Sequence, residues 1–247
     1  MSHFLVLIYV NLTRKFKIVS ILIVAATKKE IQPLVSCFET IQNVGNNMCS
    51  GVCRGSQIDC LITGPGIMAT SYWLGRISLN MSSKYSLIIN AGIAGSFKSS
   101  IKIGSVVQVI SDCNFDFGAE DGDAFLSASE ISLLPENELY LRNSYESSNV
   151  INSLKKVNAI TVNKVHGREK SIQLLKTKIK AEIESMEGAA FFNAARKQDS
   201  PYVQIRSISN FVERRNKANW EIENAITSLN KVLVSFIDEM VENILNE

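Results

Sequence analysis

Ile18-Val19-Ser20-Ile21-Leu22-Ile23-Val24-Ala25 is a run of apolar, largely β-branched side chains. Such a run predicts a strand covered on both faces, the usual state of a strand inside a parallel sheet. Outward from it, Ile58–Thr63, Leu87–Ala91, Val106–Ile110, Ala159–Val162, Ala181–Ser185 and Tyr202–Ile208 read as further strands. Helical stretches fall between them at Ala69–Leu79 and Gly188–Arg196. The last segment is the clearest helix, because Ile222, Ile226, Leu229, Leu233, Phe236, Met240 and Ile244 recur at steps of three and four. The alternation predicts one α/β domain over residues 17–247. Its sheet is expected to be largely parallel and twisted.

Two regions depart from this pattern. Residues 1–16 carry the short apolar run Phe4–Val10 followed by Arg14 and Lys15. The order is wrong for a signal peptide, and seven apolar residues cannot span a bilayer. They read as an N-terminal extension outside the fold. The segment Asp112–Asn149 is rich in Ser, Asn, Asp and Glu and lacks strong periodicity. A stretch that long inside a domain is usually a functional or interface element.

Composition narrows the function classes. The 247 residues are 46% hydrophobic and 20% charged, so a sizeable core can form. With 26 basic and 24 acidic residues, the net charge of +2 excludes a dedicated nucleic-acid or membrane-surface binder. Only two histidines, His3 and His166, are present, which excludes multi-histidine metal sites. Five cysteines include Cys49 and Cys53, but no second ligand pair lies nearby, which argues against zinc. Reduced cysteines point to the cytoplasm.

In an open α/β sheet, sites gather where strands end, and four expected strand ends carry unusual residues. Gly64-Pro65-Gly66-Ile67-Met68-Ala69 has the glycine spacing of a dinucleotide fingerprint but lacks the acid about twenty residues on. A tight turn without cofactor is the better reading. Asn90-Ala91-Gly92-Ile93-Ala94-Gly95-Ser96 carries two glycines but no phosphate-loop lysine–serine pair. Glu30 stands three residues after Thr27, the spacing of a helix capping box. Pro33 argues for a later helix start that would leave Glu30 free at the sheet rim. The residues leave both readings open. Finally, Glu187 and Asn210 each follow an apolar strand. Either could merely serve a helix terminus or a turn, but three polar side chains at three strand ends suggest one pocket.

Taken together, the Glu30 opening, Asn90–Gly95, Met186-Glu187-Gly188-Ala189-Ala190 and Arg206-Ser207-Ile208-Ser209-Asn210 resemble the nucleoside phosphorylase/hydrolase superfamily. The resemblance runs from about Lys17 to the last helix and implies a three-layer α/β fold with a central mixed, largely parallel twisted sheet flanked by helices. Phe117-Gly118-Ala119-Glu120-Asp121-Gly122-Asp123-Ala124-Phe125-Leu126, and Asn210-Phe211-Val212 with Arg215 and Trp220, resemble more narrowly the futalosine hydrolase family of menaquinone biosynthesis.

The resemblance implies hydrolysis of an N-glycosidic bond with release of hypoxanthine, needing water as co-substrate and neither metal nor organic cofactor. It implies Glu30 as general base, Glu187 on the ribose hydroxyls, Met186 on the sugar face and Arg206 ordering water and carboxylates. Gly92 and Ser209 join the substrate-binding set. Asn210 stands where adenine-releasing relatives carry an aspartate. An amide there can donate to N7 or to the O6 of a 6-oxopurine. For the benzoate on the 5′ extension of futalosine, Arg215 is the candidate, with Arg214 beside it and His166 and Arg168 behind. A homo-oligomer is implied, with part of 112–149 near a neighbour's site, and neither nucleic acid nor membrane as partner.

Two departures stand out. Adenine-specific relatives have a water-holding serine where Ile93 stands, and no arginines match the phosphate site of the phosphorolytic branch near Lys28 and Lys29. The competing readings are an adenine-releasing nucleosidase, a purine nucleoside phosphorylase and a nucleoside-binding module without catalysis. A dinucleotide-dependent oxidoreductase comes last.

Overall fold

The computed structural model describes residues 20–45, 47–78, 84–122, 124–178 and 180–245. The extension expected at 1–16 lies outside them, as do Ile18, Val19 and Leu79.

The strands are β1 (Ser20–Ala25), β2 (Thr40–Gly45), β3 (Met48–Cys53), β4 (Ser56–Ile62), β5 (Leu87–Ser96), β6 (Val106–Cys113), β7 (Gly118–Asp121), β8 (Ala124–Ser127), β9 (Tyr140–Arg142), β10 (Lys155–Thr161), β11 (Ile183–Ser185) and β12 (Tyr202–Phe211). The α-helices are α1 (Lys28–Val35), α2 (Ile67–Ser78), α3 (Glu136–Leu139), α4 (Asn149–Ser153), α5 (Glu169–Lys178), α6 (Gly188–Ala195) and α7 (Ile222–Leu245). Ten strands form one mixed sheet in the order β11-β10-β6-β12-β5-β1-β4-β3-β2, with β9 on β6. Pairings are parallel along β4-β1-β5-β12 and along β6-β10-β11. Antiparallel pairing joins β12 to β6 and adds β3 and β2 beyond β4. A further antiparallel contact of β11 with β5 closes the β5-β12-β6-β10-β11 part on itself.

β1 is buried on both faces for the reason its composition implies. Ile21, Ile23 and Ala25 pack with Ile31 and Leu34 of α1 and Leu229, Leu233 and Phe236 of α7. Leu22 and Val24 point the other way, into the layer of Leu74 from α2 and Phe191 and Phe192 from α6. The sheet therefore lies between two helical layers.

Several local expectations are corrected. Asn90–Ser96 does not follow a strand: β5 runs through both glycines to Ser96, and β12 likewise runs on to Phe211. Glycine is tolerated within a strand where another group approaches the backbone closely. The 112–149 segment, which has no strong period in sequence, contains regular elements. It holds the end of β6, the β7–β8 hairpin, α3 and β9, all too short to show a period.

Candidate active site

α1 begins at Lys28, with Thr27 as N-cap and a complete capping box. Glu30 Oε2 accepts from the Thr27 N–H at 2.8 Å and from its hydroxyl at 3.0 Å, and the Glu30 N–H donates to Thr27 Oγ1. The later start suggested by Pro33 is overturned, since Pro33 lies inside the helix. Pro33 has no N–H for the Lys29 carbonyl, and its ring crowds that turn. Asn230 of α7 engages both members of the next pair along the ladder. Its Nδ2 donates to the Glu30 carbonyl at 2.8 Å, and its Oδ1 accepts from the Leu34 N–H at 3.0 Å.

The capping box does not exhaust Glu30. Its other oxygen, Oε1, accepts from the Ile93 N–H at 3.2 Å. Ile93 therefore contributes its backbone to the carboxylate. Glu30 is buried, and that burial raises its pKa above the usual glutamate value. Arg206 opposes the rise and Glu187 adds to it.

Arg206 is fully buried in the middle of β12. Its Nη2 donates to Asn90 Oδ1 at 2.5 Å and lies 3.7 Å from Glu187 Oε2, while Nε and Nη1 have no hydrogen-bond partner among the described residues. Gly92 sits opposite Arg206 in register. A Cβ on Gly92 would overlap Arg206 Nη1 and lie 2.9 Å from Glu30 Oε1. The glycine thus leaves the space on which the guanidinium and the carboxylate both border, and it is not among the residues lining the cavity.

Glu187 stands at the N-cap of α6 but makes no capping bond there. Its Oε1 instead accepts from the Gly66 N–H at 3.0 Å. The Gly64-Pro65-Gly66 turn, with positive φ at both glycines, therefore serves to hold a carboxylate. Beneath α6, fully buried Asp112 accepts from Thr161 Oγ1 at 2.8 Å and Gln204 Nε2 at 3.0 Å, and desolvation lifts its pKa to about 6.

At Ser209 the β12–β5 register shifts, so that Asn210, and not Ser209, falls opposite Gly95. Such a bulge re-aims side chains. The Ser209 hydroxyl donates to Asn210 Oδ1 at 2.8 Å, and Asn210 Nδ2 donates to the Phe211 carbonyl at 2.9 Å. The amide is thereby oriented with its nitrogen towards Gly95, where a Cβ would lie 3.2 Å from Nδ2. One proton on that nitrogen remains to be given.

A cavity of about 330 Å³ joins Glu30, Ile93, Gly95, Met186, Glu187, Ser209 and Asn210, and is closed on one side by Trp220, Ile222 and Ile226. That volume lies within the range of small-molecule sites. Arg206 sits behind the cavity wall and acts on its carboxylates from there. Arg215 lies outside, in a neighbouring hollow with Lys29 and Lys217, its guanidinium 5.3 Å from the centre of the Trp220 ring. His166 and Glu184 also line the cavity, with His166 Nδ1 2.7 Å from Glu184 Oε2. Glu184, Asp112 and Asn230 were not foreseen from the sequence. Of the three, only Asn230 leaves a trace there, as a polar residue on the apolar face of α7, four after Ile226 and three before Leu233.

Among the described residues, no helix is long and apolar enough to cross a membrane. Known proteins agree with the architecture. The futalosine hydrolase of Streptomyces coelicolor is 27% identical over 146 residues, covering 59% of this chain and 62% of that relative's length. The structure of futalosine hydrolase from Helicobacter pylori superposes with a TM-score of 0.75 at 22% identity, covering 90% of this chain and 98% of that one. The 5′-methylthioadenosine/S-adenosylhomocysteine nucleosidase of the same organism also gives 0.75, at 20% identity, over 90% and 99% of the two chains. Residues 20–242 match the family model of the Phosphorylase superfamily. The chain belongs to that superfamily.

Proposed function

We propose that this chain hydrolyses the N-glycosidic bond of futalosine, releasing hypoxanthine and dehypoxanthine futalosine on the futalosine route to menaquinone. The observation that carries this reading is the orientation of Asn210. Its amide nitrogen, set by the Ser209 hydroxyl, offers a donor to a purine O6 or N7. The amide cannot transfer a proton as an acid would, and a donor there suits a 6-oxopurine.

The remaining residues supply the chemistry. Glu30 takes a proton from a water whose oxygen bonds to C1′ of the ribose. The C1′–N9 bond breaks with its electron pair going to the purine, which leaves as an anion hydrogen-bonded by Asn210 and takes its proton from solvent water, while Glu30 returns the proton it took to solvent. Burial keeps Glu30 a stronger base than an exposed glutamate, and general-base assistance of this kind is worth roughly 10²–10⁴-fold. Glu187 accepts from the ribose hydroxyls, and Met186 packs on the sugar. Arg206 holds Glu187 and Glu30 in one field and balances the charge of the pair. Arg215, over the Trp220 ring in the hollow beside the cavity, takes the carboxylate on the 5′ extension. Phe117, Leu133 and Tyr140 are exposed on the 112–149 segment, in keeping with a homo-oligomer.

The test is Asn210→Asp. Futalosine turnover should fall by about 10- to 100-fold, the worth of a buried hydrogen bond, and relative activity on an adenine nucleoside should rise. Unchanged turnover with unchanged base preference would contradict the assignment.

A further inference from the structure

β5 is paired on both sides at Gly95. Glu184 of β11 lies opposite it across the antiparallel contact, and Asn210 of β12 lies opposite it across the parallel one. Three residues thus stand in one line across the sheet, a carboxylate and an amide with a glycine between them. Strands in a sheet are about 4.8 Å apart, so the backbones of the flanking pair are roughly 9.6 Å apart, and only side chains that lean inwards over the glycine can share one edge of a flat heterocycle. A Cβ on Gly95 would lie 3.2 Å from Asn210 Nδ2 and 3.6 Å from Glu184 Cγ, so both side chains lean over the glycine. All three residues line the cavity.

Glu184 is buried and is fixed from one side only. Its Oε1 accepts from the His166 N–H at 3.0 Å, and its Oε2 meets His166 Nδ1 at 2.7 Å. A carboxylate has about four acceptor positions, so each oxygen keeps one to offer. Side by side, the cavity then presents a donor from Asn210 and an acceptor from Glu184.

We infer that Glu184, held by His166, is a specificity-determining residue that accepts the N1–H of a 6-oxopurine while Asn210 donates to its O6. O6 and N1–H are neighbouring acceptor and donor on one edge of hypoxanthine. On adenine the same two positions are a donor and an acceptor, so both contacts would be mismatched. Leaving buried polar groups unpaired in this way is what gives such sites strong discrimination. The inference rests on the 6-oxopurine reading proposed above and adds the residue that enforces it.

Calorimetric titration of the full-length protein with hypoxanthine, 1-methylhypoxanthine and adenine tests it. The wild type should bind hypoxanthine about 10- to 100-fold more tightly than the 1-methyl base, whose N1 has no proton to give. Glu184→Ala, which removes the acceptor and makes room for the methyl group, should abolish that preference. Glu184→Gln, which keeps the side-chain shape if the alanine variant fails to fold, should reduce it. Equal binding of the two bases by the wild type overturns the inference without need of any variant. A preference that survives in both variants overturns it while leaving the 6-oxopurine reading intact. Tighter binding of adenine than of hypoxanthine by the wild type overturns that reading itself, and the inference with it.

Discussion

Asn230 donates from Nδ2 to the carbonyl oxygen of Glu30 at 2.8 Å, linking α7 to the turn that carries the carboxylate from 200 residues away in the chain. The same amide accepts from the Leu34 N–H and donates to the Ile226 carbonyl, so both its N–H donors and its oxygen are engaged inside the protein. Pro33 makes this tie necessary, because it removes one helical bond from the first turns of α1 and crowds the carbonyl it leaves. Asn230→Ala should destabilise the fold by about 1–3 kcal/mol. At temperatures where the variant stays folded, it should lower kcat and leave KM nearly unchanged. Adding Pro33→Ala should restore part of the lost kcat, since the helix can then hold Glu30 without help. Loss of stability alone, with kcat intact, would show that Asn230 only packs.

Glu30→Gln keeps an oxygen for one of the Ile93 and Thr27 N–H groups, sets its NH2 against the other, and cannot take a proton. Its kcat should fall by roughly 10²–10⁴-fold, far more than the loss of one buried hydrogen bond, about 1–3 kcal/mol of stability, would account for in a protein that stays folded. In the wild type, activity should be lost as pH falls through the raised Glu30 pKa, so the acid limb of kcat/KM should lie above the ordinary glutamate range. An acid limb unaltered in the residual activity of Glu30→Gln would assign that titration to another group.

Gly92→Ala places a methyl group where Arg206 Nη1 now lies and 2.9 Å from Glu30 Oε1. Both side chains are buried and cannot swing into solvent. Overpacking of this kind costs about 1–3 kcal/mol, and the displaced guanidinium should lower kcat further. Chemical denaturation and steady-state kinetics on one preparation would check both. Wild-type values in either would mean that the β5–β12 contact is looser than it stands here.

Asp112 supplies a pH dependence of stability with a defined sign. Its pKa is about 6 in the folded protein against about 3.9 unfolded. Between those values the folded state binds the extra proton, so this group's contribution falls as pH rises and levels off above about 6. Asp112→Asn removes the effect. The stability of the variant relative to wild type should therefore rise from pH 4 to pH 6 by up to about 3 kcal/mol. Urea midpoints across that range would show it, and a constant difference would place the titration elsewhere.

What could be read in advance follows from which interactions are local. β1 was legible because both its faces are covered by helices, so every position but Ser20 is apolar. β2 was not, because all six of its residues are exposed at the sheet edge and carry no pattern. The glycines of β5 looked like a strand end, since nothing nearby in sequence reveals that Arg206 and Asn210 will approach them from β12. Glu30, Glu187 and Asn210, which line one cavity, and Arg206, which lies behind it, were singled out because they sit in recognisable segments. Glu184 escaped because it lies in a stretch that reads simply as strand, and its meaning comes from the antiparallel β11–β5 contact. The capping box at Thr27 and the site at Glu30 seemed to compete, yet the two carboxylate oxygens serve one each.

The central claim, hydrolytic release of hypoxanthine from futalosine, is tested most directly by mass-resolved chromatography. Purified protein would be incubated with futalosine, inosine and methylthioadenosine, each with and without phosphate. Hypoxanthine from futalosine, at a rate that does not depend on phosphate and with no adenine from methylthioadenosine, is the predicted result. Adenine release, or release that requires phosphate, would contradict it.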